Sequence, residues 1–224
     1  MVVEKAIGHK YWRLSLLAAL MVRAIWKGWV YLPSSLWWTR DWGEVRLLLL
    51  TASSTLGILV YTALSKWSPI KPLRVLSNFG MILTSIAYLL YTFARFPVLV
   101  WTGLVDLECA LPLTTGMDAA VDLFGAPLAE EVTYRALPLG FALASNSKWV
   151  ICLVLALSTV LFTSGHTHVS PAEAFNIGLS GLFYGLIFLR TAKLWPVVLF
   201  HSADNLLVRT AEWGWHEAGY PLCI

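Results

Sequence analysis

The chain has 224 residues, of which 58% are hydrophobic and 13% charged, and its mean hydropathy is +0.69. An ordinary soluble domain has about 25% charged residues, so lipid rather than water is the expected solvent for most of this surface, and the length suits one integral membrane domain over residues 1–224. The formal net charge of +3 comes with no Lys/Arg run long enough to track a phosphate backbone, which excludes nucleic acid as a partner.

A hydrocarbon core of about 30 Å takes roughly 20 helical residues to cross. On that measure the chain reads as an all-α, polytopic transmembrane bundle of seven spans. The first, Tyr11–Tyr31, is interrupted by Arg23 and Lys27. Its basic start (Lys5, Lys10, Arg13) and apolar run Leu14–Val22 resemble a signal peptide, but no small-x-small cleavage site follows, so it is expected to be an uncleaved span or an interfacial helix. Leu47–Ser65 and Phe79–Phe93 follow. Val98–Val105 is apolar but too short to cross alone, and would be a re-entrant or interfacial piece or an extension of the third span. Pro127–Ala144, Trp149–Ser164, Pro171–Leu189 and Leu194–Arg209 complete the set.

Punctuation supports the later spans. Ser170-Pro171-Ala172-Glu173 has the form of a capping box with proline at the first helical position. Pro127 would likewise open the fourth helix. Gly178, Gly181 and Gly185 share one stripe of the sixth span and would let another helix approach closely. Of the twelve tryptophans, Trp12, Trp29, Trp67, Trp101, Trp149, Trp195 and Trp213 fall near span ends, and Trp37, Trp38 and Trp42 between the first two spans. This is the distribution of an interfacial aromatic belt. Cys109, Cys152 and Cys223 match no zinc or redox spacing, and Cys152 is expected to pack inside its apolar run.

Orientation follows the basic residues. The N-terminus, Lys66, Lys71 and Arg74, Lys148, Arg190 and Lys193 collect on one side. Asp106, Glu108, Asp118, Asp122, Glu212 and Glu217 collect on the other, where Asp41 and Glu44 offset Arg40 and Arg46. Seven spans with the N-terminus in the cytoplasm put most loop cations inside, as expected of a prokaryotic plasma-membrane protein. The acidic loop from Phe96 to Gly125 is then outside.

Charged groups within a span cost about 2.5–3.5 kcal/mol each on insertion scales and are functional until shown otherwise. The fourth span carries Glu130, Glu131, Tyr134 and Arg135. Glu131 and Arg135 are four apart and can pair on one helix face, which leaves Glu130 without a local cation. Apolar surroundings would disfavour its anion and a nearby helix N-terminus would favour it, a balance suited to proton transfer. His166 ends the fifth span, and His201 and Asn205 share one face of the seventh. Polar groups in lipid must face the bundle interior or a wet cavity, which pushes these together. Glu130 and His166 would meet at one membrane face, whereas His201, about halfway along its span, would need a funnel or a tilt.

The ordered set Glu130-Glu131-xxx-Arg135, Phe162-xxx-His166 and His201-xxx-Asn205 resembles the motifs of the CPBP family, the CAAX-prenyl-protease and bacteriocin-processing intramembrane proteases, over about residues 127–205. The resemblance implies hydrolysis of a peptide bond in a protein or peptide substrate at a membrane-embedded site. Glu130 and His166 would activate water, and His201 and Asn205 would stabilise the oxyanion. Glu131, Arg135, Tyr134 and Phe162 would support the site or contact substrate, with Tyr134 lining the pocket beside Glu130. No cofactor is expected. The alternative is a zinc protease with His166, His201 and a glutamate as ligands, although the helical His-Glu-x-x-His pattern is absent. A non-catalytic adaptor or immunity protein of the same fold is the other alternative. A proton relay is weaker, for want of inverted repeats. His168 is expected to face the aqueous loop, His9 and His216 the surface, and Asp204 to tune a neighbour or pair with Arg209.

Overall fold

The computed structural model describes residues 2–27, 40–67, 69–73, 78–101, 119–166 and 170–217. Among them are seven helices and no strand. They are α1 (Val2–Lys27), α2 (Arg40–Trp67), α3 (Asn78–Trp101), α4 (121–145), α5 (Lys148–Ser164), α6 (Pro171–Thr191) and α7 (Leu194–Glu217). Every described residue of the expected spans falls within these helices, and residues 28–31 of the first expected span lie outside the described residues. Val98 to Trp101 belong to α3, and residues 102–105 of that apolar segment lie outside the described residues.

Two stretches, Leu47–Lys66 within α2 and the whole of α6, are long and apolar enough to cross a membrane, and Leu14–Ile25 and α5 are shorter apolar helices. The side chains of Trp37, Trp38, Trp42, Asp106, Glu108, Cys109, Asp118, His168 and Cys223 lie outside the described residues. So do those of Trp12, Trp29, Trp67, Trp101, Trp213, His9 and His216. Trp149 and Trp195 are exposed at the starts of α5 and α7. Cys152 is a correction: it lies exposed on the outer face of α5 instead of packing inward.

Helix α4 departs most from expectation. Its α-helical segments Ala126–Glu131 and Leu137–Ser145 each follow a π turn, Val121–Gly125 and Val132–Ala136. Prolines 127 and 138 explain the pattern. A proline lacks the N–H that would bond four residues back, and its ring crowds that carbonyl. Widening the preceding turn relieves the clash, and Ala126 and Leu137 donate five residues back, to Val121 and Val132. The carbonyls so freed find other donors. Ser158 Oγ bonds Tyr134 O, and Asn205 Nδ2 bonds Asp122 O at 2.8 Å. Pro127 therefore does not open the helix, and Glu130 lies well inside α4 rather than at its N-terminus. Glu130 is thus too far from a helix N-terminus for the helix dipole to favour its anion.

The helices alternate in direction. Lys27, ending α1, donates to Gly165 O after α5 at 3.0 Å. At the opposite end Leu73 N donates to Leu189 O at 2.7 Å, and Tyr61 Oη to Ala192 O at 2.8 Å. Among the described side chains, the exposed cations Lys66, Lys71, Lys148 and Lys193 sit at this second end, where α1 begins. The capping box at Ser170 and Glu173 is formed as expected. The glycine stripe of α6 faces α5: a Cβ on Gly185 would meet Leu155 at 2.4 Å, and one on Gly181 would meet Phe162 at 2.8 Å. Large apolar side chains such as Leu48, Phe93 and Leu199 point outward, while Glu131 and Arg135 are each 0% exposed.

Candidate active site

Three helices supply the expected residues. Helix α4 carries Glu130, Glu131, Tyr134 and Arg135, α5 carries Phe162 with His166 just beyond it, and α7 carries His201 and Asn205. Glu130, Phe162, His166, His201 and Asn205 line one cavity of about 410 Å³. Because Glu130 lies mid-helix, it stands at the depth of His201, with 3.8 Å between Glu130 Oε2 and His201 Nε2. The depth mismatch expected for His201 vanishes with the π turn, which lets α4 start earlier than Pro127.

Glu131 and Arg135 pair as their spacing predicts, with Arg135 Nη1 3.3 Å from Glu131 Oε1. The same oxygen lies 2.8 Å from His201 Nδ1. Arg135 also donates through Nη2 to Gly181 O at 3.1 Å, and its guanidinium lies 4.0 Å from the centre of the Phe162 ring. Two buried opposite charges are tolerable when each is paired and hydrogen-bonded. Gly181, read from the sequence as packing alone, also contributes the carbonyl that holds Arg135.

His166 Nδ1 stands 2.9 Å from Phe162 O. A carbonyl can only accept, so Nδ1 carries the proton and the neutral ring keeps its lone pair on Nε2. That is the tautomer a proton acceptor needs. Phe162 packs against both histidines: its ring centre lies 4.9 Å from that of His166 and 5.8 Å from that of His201, and it also meets Tyr134 at 5.7 Å, all edge-to-face. Tyr134 is a correction. It lines a second, mostly apolar cavity of about 280 Å³ with Leu16, Arg23 and Leu161, and not the one beside Glu130.

Several cavity residues had no motif to announce them. Of the two expectations for Asp204, to tune a neighbour or to pair with Arg209, the second does not hold, since Arg209 Nη2 reaches Asp122 Oδ2 at 2.6 Å. Asp204 Oδ2 accepts from Tyr184 Oη at 2.6 Å and lies 2.7 Å from Tyr88 Oη, while Oδ1 is 3.6 Å from Arg95 Nη2. Lys27 and Arg95 line the cavity from α1 and α3. Arg95 had a signal, as a cation two residues beyond an apolar span; Tyr184 had none. Among the described residues no three His, Cys, Asp or Glu side chains are grouped to hold one metal ion.

No curated protein and no solved structure matches the chain. Residues 112–207, which span all three motifs, match a family model described as type II CAAX prenyl endopeptidase, Rce1-like, so over this stretch the chain carries the pattern of the CPBP family that its motifs resemble.

Proposed function

We propose that the protein is an intramembrane endopeptidase, a single polytopic domain that cuts a membrane-associated or exported protein. The observation that carries this reading is the convergence of Glu130, His166, His201 and Asn205 on one cavity. A surface with apolar side chains outward and Glu131 and Arg135 fully buried suits lipid as solvent.

In the reaction, Glu130 takes a proton from a water whose oxygen attacks the peptide carbonyl, while the free Nε2 of His166 orients that water by accepting its second hydrogen. The developing oxyanion is met by His201 Nε2–H and an amide hydrogen of Asn205. With Nδ1 donating to Glu131 (2.8 Å), His201 donates from both nitrogens, and Glu131 and Glu130 offset its charge. Collapse breaks the C–N bond, and Glu130 returns the proton to the leaving amine. Asn205 already spends one amide hydrogen on Asp122 O, so only its second is available to the oxyanion.

The metal-free route is favoured over zinc because Asn205, one turn from His201 on α7, suits an oxyanion donor better than a zinc ligand. The complete motif set favours an enzyme over an adaptor. Lys27, Arg95, Asp122, His166 and Arg209 surround the cavity at the end opposite Lys66, Lys71, Lys148 and Lys193. The positive-inside rule then favours a site opening away from the cytoplasm. A cytoplasmic prenylated tail would meet the wrong end, and the anchoring tail or leader of an exported protein fits better.

The test is a quantitative comparison of membrane proteomes from cells expressing wild type and Glu130→Gln. A precursor that accumulates uncut only with the variant supports the reading, and indistinguishable proteomes count against it.

A further inference from the structure

His201 is held on three sides. Glu131 takes Nδ1 at 2.8 Å. The edge of the ring meets Phe162 at 5.8 Å and 77°, and its face lies on Tyr184 at 4.7 Å with 24° between the planes. The motifs account for Glu131 and Phe162 but not for Tyr184. This tyrosine is 1% exposed, and its hydroxyl donates to Asp204 Oδ2 at 2.6 Å. Asp204 lies three residues beyond His201 on α7, hence on a neighbouring face of the same helix.

The carboxylate is a hub. Tyr88 of α3 approaches the same oxygen at 2.7 Å, and Arg95 of α3 stands 3.6 Å from Oδ1. A phenylalanine at 184 would bury the same ring. What the hydroxyl adds is a fixed point, so the ring cannot slide or tilt relative to the helix that carries His201.

We propose that Asp204 and Tyr184 are a positioning pair for His201: Asp204 anchors the Tyr184 hydroxyl, and the anchored ring holds the imidazole with Nε2 facing the cavity. The proposal rests on the endopeptidase reading for its effect on rate, but not for its effect on the ring. A misplacement of about 1 Å costs on the order of 100-fold in rate, so loosening this clamp should be felt in turnover and not in substrate affinity.

The experiment uses full-length protein in detergent with Tyr184→Phe, Asp204→Asn and the double variant, and has two readouts. The first is cleavage of fluorescein-labelled casein. Each single variant lowers kcat about 10- to 100-fold with KM nearly unchanged, and the double variant is no slower than the worse single one, because both act through one ring. The second needs no substrate: it is the rate at which diethyl pyrocarbonate modifies His201, read by mass spectrometry with His166 as internal reference. Tyr184→Phe, which keeps the ring and the packing, raises the His201 rate several-fold and leaves His166 alone. Independent, additive losses in the double variant, or an unchanged His201 rate, would overturn the proposal. Casein left uncut by wild type, or cut fully by Glu130→Gln, counts against the protease reading, and the modification rate still decides the positioning pair.

Discussion

Glu131 Oε1 lies 2.8 Å from His201 Nδ1, so the second glutamate of the motif holds the histidine while the first faces the cavity. Arg135 completes the chain at 3.3 Å from the same oxygen. One carboxylate thereby ties the scaffold of α4 to the chemistry of α7.

Removing that carboxylate should damage fold and function together. Glu131→Ala leaves the Arg135 guanidinium buried at 0% exposure with its charge uncompensated, which typically costs about 3–5 kcal/mol. Thermal unfolding in detergent should show a large fall in midpoint. Arg135→Lys should recover little of the native stability. A lysine cannot reach both Glu131 and Gly181 O, nor stack on Phe162 as the planar guanidinium does at 4.0 Å.

The contact between α2 and α4 makes a second prediction. A Cβ on Gly57 would meet Val132 Cγ1 at 2.0 Å, and Val132 is fully buried. Gly57→Ala should therefore destabilise by about 1–3 kcal/mol through overpacking. Adding Val132→Ala should return most of the loss, because the colliding methyl is gone. Thermal midpoints of the two singles and the double form the cycle, and a double variant no better than Gly57→Ala would remove the contact from the account.

The proline-freed carbonyls give a third. Ser158 Oγ bonds Tyr134 O, which Pro138 cannot serve. Ser158→Ala leaves a buried acceptor unpaired, at a cost of about 1–3 kcal/mol, whereas Ser164→Ala, at an exposed bond on the same helix, should cost far less. Denaturation curves of the two variants are the comparison.

Much of this was legible in the sequence, for identifiable reasons. The helices and the cavity residues are periodic or charged, and in an apolar chain a charge is conspicuous: Glu130, Glu131, Arg135, His166 and His201 could be named without coordinates. Depth was not legible. Pro127 carries the signature of a helix start, and nothing local distinguishes that from a proline tolerated behind a π turn. Nor was the partner of Asp204. Arg209, five residues on, was a near candidate in sequence, but Asp122 and Arg95 are brought in from α4 and α3, and such long-range pairing leaves no local trace. Tyr184 and Tyr88 looked like ordinary core aromatics.

Sidedness is a fourth prediction. In a cysteine-free background, a cysteine at Ala120, exposed at the cavity end, should react with an impermeant maleimide added to intact cells, and one at Lys193 should react only after the membrane is opened. The reverse pattern would place the cavity in the cytoplasm and restore prenylated tails as candidate substrates.

The central claim is that Glu130 activates water for peptide hydrolysis. Its most direct test is cleavage of the precursor from the proteome comparison by purified protein in ¹⁸O-labelled water, with bound metal quantified in the same preparation. The account predicts one ¹⁸O atom in each new C-terminal carboxylate with wild type, turnover that does not scale with zinc content, and no measurable product with Glu130→Gln. Full turnover by Glu130→Gln, or activity that tracks zinc occupancy, would contradict it.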